Sequence, residues 1–324
     1  MAELVTADEG RLLDQILGST YETWHEGLSR AAYARFYTAQ RATAWGTAHL
    51  RRFALVDSGE LLASAKLYAF AATLDGRPIR VVGIGAVFTG VAHRGRGTAR
   101  DLIERLLDRA RTDGVDLALL FSEIGPDYYA RLGFTAIATT DRRLRVTEST
   151  RHGAPATMVR GGEPRDLQAI AAMGRIRAAA ARFHLERDED LIQYAITKKR
   201  LLAGLGSPGA RELHFFIAEE GMTAAAYVVI SVAAGGWTIE ECGDRDPTGA
   251  RVGAILQVLI ARAPAERRPA MTAWLPPGFV PPQVTVIGEQ PSAELMMVRP
   301  LRPAAEQART LREEDAFYWK GDRF

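Results

Sequence analysis

Residues 87–99 read Val-Phe-Thr-Gly-Val-Ala-His-Arg-Gly-Arg-Gly-Thr-Ala, an apolar run that breaks into a glycine-rich turn and then opens a helical pattern. A turn of this kind can hold an anion. The free N–H groups at a helix start converge on one spot, and the helix dipole adds a partial positive charge there. Glycines let the backbone approach a ligand closely, so a diphosphate can be held mainly by main-chain donors. Arg94, Arg96 and Arg100 can add charge at the edge. The segment expected to bind such a ligand runs from residue 87 to about 107. His93 within it reads as a turn or surface histidine.

Several elements must position this turn. Residues 7–46 carry apolar side chains at helix spacing, among them Leu12, Leu13, Ile16 and Leu17. Strand signals at 53–56 and 61–72 flank Asp57-Ser58-Gly59-Glu60, a hairpin pattern. Residues 81–91 form an almost unbroken apolar run, as a central buried strand requires. Leu102, Ile103, Leu106, Leu107 and Ala110 make the buried stripe of a helix over 97–111. A short strand at 117–121, a short helix at 126–132 and a strand at 134–139 follow. The result is a mixed α/β layer architecture.

Polar residues 147–156 mark a boundary, and a similar order recurs beyond it. Residues 215–228 read as a hairpin like 53–66, then come a strand at 237–242, a helix at 249–263 and a strand at 271–275. We therefore expect a duplicated α/β fold with a mixed central sheet, divided into a first domain at 1–147 and a second at 157–324. The second turn, Cys242-Gly243-Asp244-Arg245-Asp246-Pro247-Thr248-Gly249, carries acids where a diphosphate would sit. Such a turn repels an anionic ligand, so the second domain is expected to be degenerate.

A chain of 324 residues has room for two domains, and 47% hydrophobic with 25% charged residues is globular composition. Lys+Arg of 41 against Asp+Glu of 39 leaves +2, which gives no signature of a nucleic-acid partner. The single cysteine, Cys242, rules out an intramolecular disulfide and a cysteine-based zinc cluster. The acidic start lacks the regions of a signal peptide. The apolar run at 224–234 is far short of the ~20 residues of a membrane span. The expectation is a cytoplasmic protein with no membrane partner; self-association stays open.

Arg94-Gly95-Arg96-Gly97-Thr98-Ala99 resembles the Arg/Gln-x-x-Gly-x-Gly/Ala signature of the GNAT N-acetyltransferases. A second family element, Tyr-x-x-x-Gly-Phe, stands at Tyr129–Phe134, one strand and one short helix later. A Walker loop would need Gly-Lys-Ser/Thr, and a dinucleotide site Gly-x-Gly-x-x-Gly after a first βαβ unit; neither is present. The resemblance covers roughly residues 1–145 and implies an acyl-CoA N-acyltransferase fold with acetyl-CoA as donor and no metal. It implies that Arg94, Gly95, Arg96, Gly97, Thr98 and Ala99 hold the pyrophosphate, and that the backbone of Val87, Phe88 and Thr89 pairs with the pantetheine. Tyr129 falls on the tyrosine that protonates the leaving thiolate, whereas Tyr128 reads as a core aromatic. An acceptor amine, with a pKa near ~10, must lose a proton. Glu123, just past a buried strand, is the candidate base; it reads equally as a solvated loop acid. The implied reaction is acetyl transfer to a primary amine of a small molecule or peptide. The alternative is a non-catalytic acyl-CoA-sensing module.

The order of an active first half and a degenerate second half is similar to the enhanced-intracellular-survival acetyltransferases, without their third domain. Mycothiol synthases also pair two such domains, but with the active one last. In these two-domain relatives a C-terminal carboxylate reaches the active site, a role that Phe324 would fill here. The tail has four aromatics in its last eight residues, so burial is expected. It either enters a groove between the domains or completes the second domain as a strand or cap.

Overall fold

The computed structural model describes residues 2–147, 158–234, 236–262 and 268–324. The first half contains β1 (Glu3–Thr6), α1 (Gly10–Trp24), α2 (Arg30–Arg41) and α3 (Ala44–His49). Ser29 and Thr43 cap α2 and α3, accepting from the amides of Ala32 (3.2 Å) and Gly46 (3.0 Å). Next come β2 (Leu50–Asp57), β3 (Glu60–Leu74), β4 (Arg77–Thr89), α4 (Thr98–Thr112), β5 (Leu117–Ser122), α5 (Asp127–Ala130), β6 (Thr135–Ile137) and β7 (Thr140–Val146). The second half adds β8 (Met158–Gly161), α6 (Leu167–Ala178), β9 (Phe183–Leu185), α7 (Glu189–Leu205), β10 (Arg211–Glu220), β11 (Thr223–Ala233) and β12 (Gly236–Asp244). It closes with α8 (Ala250–Ile260), β13 (Met271–Ala273), β14 (Val284–Pro291), β15 (Leu295–Pro300) and β16 (Ala316–Phe317).

The strands form two sheets of the same plan. One runs β1-β2-β3-β4-β5-β15-β6 and the other β8-β10-β11-β12-β13-β7-β14. In each, an antiparallel meander leads to one parallel pair, β4–β5 or β12–β13. The fold is thus duplicated, as its sequence pattern implies. Each sheet also takes its next-to-last strand from the other half. β15 lies between β5 and β6, and β7 between β13 and β14. A cut at 147–157 therefore divides the chain but neither sheet, and residues 148–157 lie outside the described residues. The strand expected at 134–139 is three residues long, because the chain leaves for the other sheet at Thr140.

The exchange joins the cores. Trp45, Tyr68 and Phe70 of the first half belong to one apolar cluster with Trp274, Tyr318 and Trp319 of the second. A separate cluster beneath α4 contains Leu102, Ile103, Leu106 and Leu107, each at most 1% exposed, with Ala118, Leu120 and the exchanged Met297. No helix among the described residues is long and apolar enough to cross a membrane.

Two features of the first sheet open space for a ligand. Ala86 has a φ of +48°, and the β3–β4 register slips between Ser64 and Lys66, a bulge that bends β4. β4 and β5 pair only from Val81–Leu117 to Gly83–Leu119 and then part. The tail draws both halves together. β16 pairs with β9, which pairs with β3, and Tyr318 stacks on Trp274 at 4.7 Å. Arg187 binds Asp322 (2.9 Å) and Glu241 (2.5 Å), all three buried, which ties down the last turn.

Candidate active site

The turn before α4 is open. Gly95 (φ +72°) and Gly97 (φ +80°) adopt left-handed backbone, where other residues are strained, and no atom lies within 4 Å of where either would carry a Cβ. Asp101, which donates to the Gly97 carbonyl at 2.9 Å, is the first amide of the helix to find a backbone partner. Among the described residues, the amides of residues 95–100 donate to no backbone carbonyl. Side chains brace the turn from behind: Thr98 Oγ1 donates to the His93 carbonyl (3.1 Å), and Arg94 Nε to that of Thr89 (3.3 Å). His93 itself pairs with Glu60 at 2.9 Å, so it holds the turn.

These amides open onto a cleft of about 1250 Å³. Its walls bring together Val87, Phe88 and Thr89 of β4, Arg94, Gly95, Gly97, Thr98 and Ala99 of the turn, and Glu123 and Tyr129 beyond β5. Arg96 does not line it; Arg100, one helical turn on, does. A diphosphate fits the free amides, and an extended chain fits the side of β4 that β5 has left.

Tyr129 is half-buried, edge-on to Tyr128 (5.1 Å) and Phe134 (6.0 Å), and its hydroxyl makes no hydrogen bond among the described residues. Burial, and then Tyr128, push its phenol up to about 12, so it is a firmly protonated donor. Burial also raises Tyr128, opposed by Arg100 and Arg131. Glu123 is exposed at the rim and has no ion-pair partner among the described residues. Partial burial, with Glu294 and Glu26, raises its carboxyl.

Residues 19–137 match the family model described as an acetyltransferase (GNAT) domain. That stretch is similar to the GNAT domains. No protein of curated function matches the sequence. Solved structures share the fold across both halves. A GCN5-related N-acetyltransferase from Anabaena variabilis is 11% identical over 93% of this chain and 73% of its own, with a TM-score of 0.67. One from Kribbella flavida is 20% identical, covering 95% and 74%, with a TM-score of 0.63. Eis1 from Mycobacterium abscessus is 14% identical, covering 95% and 76%, with a TM-score of 0.57.

Around the open turn the structure gathers residues that sequence reading passed over. Lys66 of β3 and Lys198 of α7 line the cleft, as do Tyr33 and Tyr37 of α2. Their signal was faint: Lys66 and Lys198 are two of only four lysines in the chain. Phe324 reaches the cleft as well. Its ring lies 4.5 Å from that of Tyr68 and 5.4 Å from that of Phe121. Gly83 and Gly85 permit this, since a Cβ on Gly83 would overlap the ring and one on Gly85 would lie 3.0 Å from the Phe324 oxygen. The tail therefore both completes the shared core and walls the cleft.

Proposed function

We propose that this chain transfers an acetyl group from acetyl-CoA to a primary amine. The observation that carries this reading is the open amide cluster at the start of α4, facing the same cleft as an unpaired phenol and an unpaired carboxylate. Arg94 to Ala99 cradle the diphosphate, with Arg100 rather than Arg96 as the second charge at its edge. The outer side of β4 at Val87, Phe88 and Thr89 pairs with the pantetheine arm and aims the thioester past the bulge at Ala86. The donor supplies an activated acyl carbon and departs as a thiol. Glu123 takes the proton from the acceptor ammonium, directly or through water, and its raised carboxyl suits that exchange near neutral pH. Tyr129 gives its hydroxyl hydrogen to the sulfur as charge develops there, a contact that gains strength only in the transition state.

Calorimetric titration with acetyl-CoA, combined with thiol release over a panel of amines, tests the reading. Binding with amine-dependent thiol release is expected. Binding without turnover on any amine would instead fit an acyl-CoA-sensing module.

A further inference from the structure

Arg52 and Lys66 sit opposite one another on β2 and β3, and Lys66 in turn pairs with Gly85 on β4. Directly opposed residues of an antiparallel pair share one face, and two cations so placed repel each other. Arg52 is 1% exposed, yet its Nε and Nη1 atoms have no hydrogen-bond partner. Its guanidinium carbon lies 4.4 Å from the centre of the Tyr37 ring, and Lys66 Nζ lies 5.1 Å from the same point. The Tyr37 hydroxyl is also buried without a partner. Among the described residues no carboxylate pairs with either cation. Asp8 accepts the Arg52 backbone amide at 2.7 Å but turns its other oxygen to Arg41 at 2.6 Å.

The other charges of the cleft are largely matched. Glu26 pairs with Arg211 (2.8 Å), Glu240 with Lys199 (3.0 Å) and Glu294 with Arg323 (3.1 Å). Lys198 donates to the carbonyls of Gly321 (3.2 Å) and Arg323. What remains among the described residues is one acid without an ion pair, Glu123, and three such cations: Arg94 and Arg100 at the turn and, on the acceptor side, Lys66, with Arg52 buried behind it rather than lining the cleft. Leaving buried charge without a counterion opposes folding, and such violations belong to sites that a ligand completes.

We propose that Lys66 and Tyr37, which line the cleft, with the buried Arg52 behind them, receive an anionic group of the acyl acceptor, so that the acceptor is an amine that also bears a carboxylate or phosphate. The inference rests on the acyl-transfer reading above. The ammonium offers either anion a point charge, and the guanidinium behind it adds to the positive field. A zwitterionic acceptor meets both Glu123 and Lys66, its ammonium toward the first and its acid toward the second. A polyamine meets one and is repelled by the other. Burial, Arg52 and Lys198 hold the Lys66 amine well below its ordinary range. A docked anion reverses that cause and restores the proton.

Two matched probe pairs test the proposal at constant ionic strength. L-phenylalanine against phenethylamine isolates a carboxylate, and O-phosphoethanolamine against ethanolamine isolates a phosphate. In at least one pair the acid-bearing member should bind, and where turned over show kcat/KM, about 10-fold or more better. That margin should shrink toward unity in Lys66→Met and fall several-fold in Tyr37→Phe. Unliganded Lys66→Met should melt higher than wild type, because an apolar chain of similar length replaces a half-buried cation that repels the buried Arg52. Equal binding within both pairs, or a margin that survives Lys66→Met, overturns the proposal. So does a lower melting temperature or failure to fold in Lys66→Met, which would assign Lys66 to holding the Phe324 main chain over Gly85. Acetyl-CoA binding by the wild-type chain is measured alongside. Its loss would sink the transferase reading, whereas donor binding without preference for the acid-bearing probes would sink this inference alone.

Discussion

α4 and α8 begin alike. Gly97 precedes the first with a φ of +80° and Gly249 the second with +76°, and each helix follows the last strand of a meander whose next neighbour is parallel. At α4 the leading amides face an open cleft. At α8 the Asp244 carboxylate takes that place: Oδ2 accepts from the amides of Arg251 (2.8 Å) and Val252 (3.4 Å), and Oδ1 from Asp246 N (2.9 Å) and Arg251 Nη1 (3.1 Å). Phe279 fills the remaining space, 2.7 Å from where Gly249 would carry a Cβ. One copy leaves its leading amides open to the cleft, and the other satisfies the same amides with its own anion. The same backbone turn can thus be open or closed according to the side chains packed around it.

The largest expected effect comes from closing the open copy. Gly97→Glu places a bulky anion against the diphosphate in a left-handed position, and calorimetry should find donor affinity reduced ~100-fold or more. Wild type should titrate near ~1 acetyl-CoA per chain; a second site of similar affinity would erase the contrast between the two helices. Next in size is Tyr129→Phe. Its kcat should fall about 100-fold with donor affinity nearly unchanged, while Tyr128→Phe changes little. Comparable small losses in both variants would return Tyr129 to the aromatic core beside Phe134.

Glu123 gives an intermediate effect that pH resolves. A base works as the carboxylate, so activity is present above its pKa and falls as pH drops through it. Because Glu123 is raised, that acid limb should lie above the ordinary carboxylate range. Glu123→Gln should lower kcat by about 10-fold and remove the limb. A limb unchanged by the substitution would move the proton to another group.

The smallest effect sharpens the comparison from the closed side. Asp244→Ala strips α8 of its internal anion and should cost about 1–2 kcal/mol, a melting shift of a few degrees. It should not create a second donor site, since Phe279 still occupies the space. Acetyl-CoA binding at α8 in this variant would show that the carboxylate alone kept the coenzyme out. Phe324→Ala is a cleaner probe of the cleft wall than removing residues 320–324, because that deletion would also strip Asp322 from the buried Arg187.

What the sequence determined alone was local. The Gly-x-Gly turn, the helix stripe under Leu102–Leu107 and the two meanders depend on backbone freedom and on apolar spacing within a dozen residues, so their pattern survives in one dimension. The acids before α8 were legible for the same reason, as was the tail's need for burial. Tertiary structure decided the rest. The exchange of β7 and β15 pairs residues more than a hundred positions apart; alone, β15 reads as a short apolar segment and β7 as a charged one with only Leu144 and Val146 apolar. Tyr129 and Glu123 share a cleft because β4 leaves β5 at Gly83, and no spacing encodes that separation. The positions of Arg52 and Lys66 on facing strands could be counted from the hairpin. That both lie against Tyr37 without a carboxylate could not, because a missing partner is a property of everything packed around a charge.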